Sequence, residues 1–395
     1  MTDVELKCPA CSAPIAAGDE FCEACGAQLH ASPSTSSATA TATATATSPS
    51  EQGSSQPTTA PAVAQPSGVS EDDTAPIPRT TVTAAVCAQC GGRILDDGFC
   101  GTCGTKARSP RDHWTEQPES WIGGVCDKGI VHTANEDAMS LAATPDGSLS
   151  ILVVCDGVTS APHSDRAALA ASRAACSYLT GVALPAPTKA AAKSVAAEVS
   201  YWTDALLAAT TEANGAAVGV AHTLGDPVEA PSCTYVAAVV ADSLITVAWC
   251  GDSRAYWLPD TGAARQLTVD HSLGTELLAS GKSPAEAAAD PAFHTITRWL
   301  GADSVDHRPD IASQSIDGPG WLLVCSDGLW NYASALDEMR TLLSDLTATK
   351  GSDPVPLAGA LVDWANAAGG HDNITAALAR LDPSLRFEPE GKSRG

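Results

Sequence analysis

Large apolar residues in this chain come as short unbroken runs, confined to about residues 121–381, and within that zone alanines gather in longer stretches between them. Residues 150–158 form a run that ends in Asp-Gly, which predicts a buried strand meeting a turn. Residues 234–240 and 244–249 predict two strands, joined as a hairpin through the polar break at 241–243. Residues 321–325 predict a further strand ending in Ser-Asp-Gly, and 374–381 a closing strand. Between these runs, 164–180 and 188–220 are alanine-rich and long enough to be helices, as are 335–346 and 356–368. Strands gathered in runs, with helices grouped between them, predict an α+β domain with an antiparallel sheet.

The chain ahead of this zone has a different texture. Residues 31–84 are Ser, Thr, Ala, Pro and Gln, with a Thr-Ala repeat at 40–47. A stretch so poor in large apolar residues cannot offset its ordering entropy, so a disordered tether is expected. The domain plan that follows is 1–30, the tether, 85–108, a globular domain at 118–383 and a disordered tail at 384–395.

Cysteine changes the picture of the two short N-terminal segments. Eight of the 14 cysteines fall in CxxC pairs: Cys8, Cys11, Cys22 and Cys25 in the first segment, Cys87, Cys90, Cys100 and Cys103 in the second. With no export signal ahead of them, pairs at this spacing read as metal ligands rather than disulfides. Each group offers the four thiolates a tetrahedral Zn²⁺ prefers, so two structural zinc ribbons are expected, against free thiols or a redox pair as the alternative. Gly26, Gly91 and Gly104 each follow the second cysteine of a knuckle, where a positive φ turns N–H groups toward sulfur. Phe21-Cys22 and Phe99-Cys100 occupy matching places, so the groups form an internal repeat and could dock as a double ribbon. The remaining six cysteines sit mostly in apolar runs and read as core residues.

Charge excludes some functions. The chain carries 46 Asp+Glu against 22 Lys+Arg, a formal net charge of −24. A nucleic-acid partner is disfavoured, since phosphate backbones require clustered positive charge. Lys106, Arg108 and Arg111 are too weak a basic stretch to reverse this, and the first ribbon is itself acidic at Asp19, Glu20 and Glu23. No run reaches membrane-spanning length and no signal-peptide pattern opens the chain, so no membrane partner and a cytoplasmic location are expected.

Carboxylates carry the chemistry. Asp137, Asp156, Asp252, Asp327 and Asp372 stand where runs end in turns. Any one such site is ordinarily a turn residue. Five can converge on one sheet edge, where hard oxygen ligands suit Mg²⁺ or Mn²⁺ and would repel one another without a cation. Two such ions roughly 3.5–4 Å apart can activate water and clamp a phosphoryl group.

The ordered set of motifs resembles the PPM family of metal-dependent protein phosphatases, the type 2C group, over roughly residues 121–381. Its pieces are His132-x-x-Asn135-Glu136-Asp137, Val153-Val154-Cys155-Asp156-Gly157, Gly251-Asp252-Ser253-Arg254 and Asp270-His271-Ser272, followed by Thr297-Arg298-Trp299-Leu300-Gly301, Ser326-Asp327-Gly328-Leu329 and Asp372-Asn373. The resemblance implies a four-layer α/β/β/α sandwich of two antiparallel sheets flanked by helices. It implies that Asp156 bridges two Mn²⁺ or Mg²⁺ ions, that the Gly157 carbonyl completes one, and that Asp327 and Asp372 hold the other. Glu136 and Asp137 would act through water, and Asp252 with Asp327 would form a weaker third position. The implied reaction is attack of a bridging hydroxide on phosphoserine or phosphothreonine of proteins, opposing bacterial Ser/Thr kinases. The competing reading is a pseudophosphatase that docks phosphoproteins and works through its ribbons.

Two positions depart from the family pattern. His132 stands where the family has an arginine that clamps the substrate phosphate; it is either a weak, pH-dependent phosphate ligand or structural. Val158 stands where eukaryotic members often carry histidine, a proton donor to the leaving group. His271 and His371 are other donor candidates, each more simply read as a turn or packing residue. The loop at 274–296 matches the family's variable flap and is expected to influence choice of protein substrate.

Overall fold

The computed structural model describes residues 86–382 apart from 88, 96, 97, 106, 108, 184–193 and 226–228. The first cysteine group, the tether and the tail lie outside the described residues. The chain divides into two units, Met1–Ala107 and Arg108–Gly395.

The second unit opens with strands β1 (His113–Glu119), β2 (Ile122–Asp127), β3 (Ala138–Ala143) and β4 (Leu149–Cys155), then helices α1 (Ser164–Ala183) and α2 (Val195–Thr223). A second run holds β5 (Ser232–Cys233), β6 (Tyr235–Ala241), β7 (Leu244–Cys250), β8 (Arg254–Pro259) and β9 (Arg265–Gln266). Short helices α3 (Leu273–Ala279) and α4 (Pro284–Ala288) lead to β10 (Leu300–Gly301), β11 (Asp310–Ser315) and β12 (Gly320–Cys325). Helices α5 (Asp327–Trp330), α6 (Leu336–Lys350) and α7 (Pro354–Ala368) precede β13 (Ile374–Leu381).

Two antiparallel sheets form the centre, one in the order β1-β2-β13-β12-β8-β9 and the other β11-β7-β6-β4-β3. Alternation along single strands shows why they stack. In β4, Leu152 and Val154 enter the core between the sheets, while Ile151, Val153 and Cys155 enter the core beneath α1 and α2. In β13, Ala377, Ala379 and Leu381 face the inter-sheet core, and Ile374, Ala376 and Leu378 pack with α6 and α7. Strands covered on both faces read as unbroken apolar runs, because neither side-chain set meets water. The result is the expected four-layer α/β/β/α sandwich.

The predicted hairpin is β6–β7, paired from Tyr235↔Cys250 to Ala241↔Leu244. The second predicted helix, α2, begins at Val195 behind the Ser194 N-cap; residues 188–193 of that expectation fall among those not described. Several strands have no apolar run to announce them. Strand β2 carries Gly123 and Gly124, and a Cβ on Gly124 would lie 2.8 Å from Met139 Sδ. β1 and β11 are edge strands with mostly polar side chains, whose pairing is visible only in the folded sheet. The flap at 274–296 is more ordered than a loop. It holds α3, capped by Ser272, and α4, which has a full capping box of Ser283 with Glu286 and Pro284 in its first turn. Such caps satisfy the orphan N–H groups of helices too short to nucleate alone.

Candidate active site and cysteine cluster

One end of the sandwich gathers the sequence-predicted carboxylates. The ladders put the end of β4 beside the start of β3 (Cys155↔Ala138) and the end of β12 beside the start of β13 (Cys325↔Ala376). Cys325 also faces Arg254 at the start of β8. Asp137, Asp156, Asp252, Asp327 and Asp372, each adjoining one of these strand ends, therefore share one edge across both sheets.

Their surroundings are short of donors. Asp137 is fully buried; its Oδ2 accepts hydrogen bonds from Ser326 Oγ and Thr375 Oγ1, both at 2.7 Å, and its Oδ1 has no partner. Asp327 Oδ1 is likewise unpartnered, while Oδ2 accepts from Asn331 Nδ2 at 3.1 Å. Burial pushes the Asp137 and Asp252 carboxyls up to about 7. Asp156 is driven well above the carboxylate range by burial and then by Asp137, Asp327, Asp372 and Asp252. Asp327 rises for the same two reasons, burial first and then Asp372, Asp252 and Asp137. Oxygen ligands that repel one another and leave buried lone pairs unmatched fit a hard divalent cation.

The supporting contacts explain how loops from distant parts of the chain meet. Glu136 accepts from Ser164 Oγ at 2.7 Å, at the start of α1, and its N–H donates to Asn373 Oδ1 at 2.7 Å. Asn373 Nδ2 donates to the carbonyls of Lys128 and Ala134 at 2.7 and 3.0 Å. His132 Nε2 lies 3.4 Å from Asp372 Oδ1, so this histidine belongs to the site edge. Gly157 has no room for a side chain, since a Cβ would lie 2.8 Å from the Glu136 carbonyl and 2.9 Å from Ser164 Cβ. Asp156 N–H donates to Thr234 Oγ1 at 3.0 Å, and Thr234 N–H returns a bond to the Asp156 carbonyl at 2.7 Å. Arg254, beside Asp252, grips Asp270 through Nε and Nη2 at 2.9 and 2.7 Å and stacks 3.6 Å above the Trp330 ring.

Some sequence candidates sit apart from the chemistry. His271 Nδ1 accepts from the Gly251 N–H at 3.1 Å, its ring stacks on Trp249, and burial holds its pKa down. His371 is exposed, and its N–H donates to Tyr332 Oη at 3.0 Å. Val158 N–H donates to the Ser232 carbonyl at 3.0 Å. Sequence reading missed Thr234, Thr375 and Ser164. A lone threonine interrupting an apolar strand was a usable signal for Thr375; nothing local marked the other two.

The family model for protein phosphatase 2C matches residues 130–364. The chain belongs to the protein phosphatase 2C family. It is similar to the serine/threonine phosphatase stp of Listeria monocytogenes, 36% identical over 150 residues, which are 38% of this chain and 56% of that protein. It is similar to the protein phosphatase PhpP of Streptococcus pneumoniae, 35% identical over 144 residues, 36% of this chain and 55% of that one. The chain thus spans about half the length of the curated relatives it matches. A solved structure of the S. agalactiae serine/threonine phosphatase superposes with a TM-score of 0.50 at 26% identity, covering 68% of this chain and 100% of that one.

The first unit contains a different ligand set. Cys87, Cys90, Cys100 and Cys103 bring their sulfurs within 4.8 Å of one another, and among the described residues this is the one group of three or more potential ligands so tight. The carboxylates at the sheet edge are spaced more widely. Gly91 and Gly104 adopt φ of 71° and 72° as expected, and the N–H groups of Gln89 and Thr102 donate to Cys87 and Cys100 sulfurs, each at 3.4 Å. Backbone donors aimed at clustered sulfurs suit thiolates, and four thiolates suit tetrahedral Zn²⁺.

Proposed function

We propose that the protein hydrolyses phosphoserine and phosphothreonine on proteins, with Mn²⁺ or Mg²⁺ at the carboxylate edge, and so opposes Ser/Thr kinases. The observation that carries this reading is the group of mutually repelling carboxylates with unpartnered oxygens on Asp137 and Asp327. Asp156, the Gly157 carbonyl, Asp327 and Asp372 would hold two ions; Glu136 and Asp137 would act through water, and Asp252 with Asp327 would offer a third position. Bound there, divalent cations supply acidification of a water and neutralisation of phosphoryl charge.

The chain's own residues do the rest. Ser326 and Thr375 hold Asp137 by one oxygen and leave the other free. Asn373 fixes the loop that carries Glu136 and His132. His132 is the basic side chain placed to meet a substrate phosphate, beside Asp372. The 87–103 cluster would hold a structural Zn²⁺; the Cys8–Cys25 repeat, outside the described residues, has the same ligand spacing for a second. Thiolate ligation fits a reducing compartment, hence the cytoplasm. No helix of the described residues is long and apolar enough to cross a membrane.

Turnover of p-nitrophenyl phosphate and of a phosphothreonine peptide tests this. It should require Mn²⁺, stop in EDTA, and vanish in Asp156→Asn and Asp327→Asn. The pseudophosphatase reading draws on His132 and on Val158, which has no proton to give. Tight Mn²⁺ binding without turnover would select it.

A further inference from the structure

We infer that Arg111 is a positioning residue for the loop carrying Glu136 and Asp137, and that it sets how tightly the carboxylate edge holds its divalent cation; this rests on the metal reading above. Arg111 lies before β1, outside every motif of the family pattern and outside the residues matched by the family model. Its Nη2 donates to the Asp137 carbonyl at 2.6 Å and to the Asn135 carbonyl at 3.4 Å. Asn135, only 3% exposed, answers with its Nδ2, which donates to the Arg111 carbonyl at 2.9 Å and to Cys126 Sγ at 3.3 Å. The Asp137 N–H closes the circuit by donating to Asn135 Oδ1 at 3.2 Å.

The neighbouring residues brace the same loop from its other end. Lys128 N–H donates to the Asp112 carbonyl at 2.8 Å. Asp112 is itself tied into a tight turn, its Oδ2 accepting from Ser109 N–H at 3.0 Å, and Arg111 N–H donates to Ser109 Oγ at 3.2 Å. Residues 109–112 therefore grip both ends of the 128–137 loop, and Asn373 grips it at Lys128, Ala134 and Glu136.

The choice of arginine has a physical reason. A planar guanidinium can serve two carbonyls of one loop at fixed angles. These bonds go to backbone carbonyls, so the Asp137 carboxylate is not spent on an ion pair with Arg111. Its main chain is held while Ser326 and Thr375 hold one of its oxygens, and the second oxygen stays available. Partners that orient ligands in this way typically govern metal affinity by about 10–100-fold.

The test uses the full chain with Arg111→Ala and Arg111→Lys, titrated with Mn²⁺ by calorimetry and assayed for turnover of p-nitrophenyl phosphate across the same concentrations. The expected result for Arg111→Ala is an Mn²⁺ Kd raised about 10-fold, a larger change than any loss of kcat at saturating Mn²⁺, with Arg111→Lys, which has a donor but no fork, recovering only part of it. Leu343→Ala, on the buried face of α6, is the control for general destabilisation: it should lower Tm and leave the Kd in place. An unchanged Kd in Arg111→Ala, or an equal shift in Leu343→Ala, overturns the inference. Should Arg111→Ala not fold, Arg111→Lys and Arg111→Gln decide it, Gln weakening Mn²⁺ more than Lys. Asp156→Asn separates the two levels. If it binds Mn²⁺ like the native chain, the metal reading fails; if it loses Mn²⁺ while Arg111→Ala keeps it, only the role of Arg111 fails.

Discussion

The four cysteines at 87–103 and the carboxylates of the sandwich are both ligand clusters, but they are assembled differently. Cys87 and Cys103 are 16 positions apart, and the knuckles between them are shaped by Gly91 and Gly104 and by N–H groups of their own loops. Asp137, by contrast, takes its hydroxyl partners from positions 189 and 238 residues away. The cysteine cluster draws on little beyond itself, and an ion bound there would supply folding free energy to it directly. The carboxylate cluster is an edge of a large core, which forces like charges together before any cation arrives. A local site can be damaged without harm to the fold, whereas a site made by tertiary structure shares its fate.

The largest effect that should follow is on chemistry. Asp156→Asn should lower kcat/KM by about 10³-fold or more, several kcal/mol of transition-state stabilisation, with the fold retained by circular dichroism. Residual Mn²⁺-dependent turnover near the native level would break the comparison at once.

Gly328→Ala should couple site to fold. A Cβ there would lie 2.0 Å from the Asn373 carbonyl, so the loops bearing Asp327 and Asp372 must part. The expected cost is about 2–4 kcal/mol, read as a lower denaturant midpoint together with lost activity.

A pH series sharpens the same point. Asp137 and Asp252 are held at about 7 when folded, against about 4 for an unfolded carboxyl. Between those values the folded chain keeps protons that the unfolded chain has released. In EDTA, stability should therefore fall as pH rises from about 4 to 7, and go on falling above that as Asp156 and Asp327, raised further still, give up their protons. Saturating Mn²⁺ should remove that decline, and a Tm that rises with pH in EDTA would contradict it.

Smaller effects bound the comparison. His132→Arg supplies a permanent charge and a fork beside Asp372, and should lower KM for phosphopeptide about fivefold. Cys100→Ser should remove one Zn²⁺ per chain by metal analysis and leave tryptophan-detected melting of the second unit unmoved, since all nine tryptophans lie beyond residue 113.

What the amino-acid order determined by itself is whatever is short-range. The apolar runs of β4, β6, β7, β12 and β13 announce strands because both faces of each are buried, and the alanine-rich stretches announce α1 and α2. The cysteine knuckles were legible down to the φ of Gly91 and Gly104, since spacing and turn chemistry act within a few residues. The carboxylates could be enumerated, and the motif order named their family. Only the tertiary structure decided that Asp137 gives one oxygen to Ser326 and Thr375 and keeps the other, that His132 sits at Asp372, and that Arg111 grips the loop of Asn135 and Asp137. The edge strands β1 and β11 likewise exist only through their partners, because their polar side chains contain no periodic signal. Backbone carbonyls as acceptors leave no mark on side-chain pattern, and contacts across hundreds of residues are fixed by the core that brings them together.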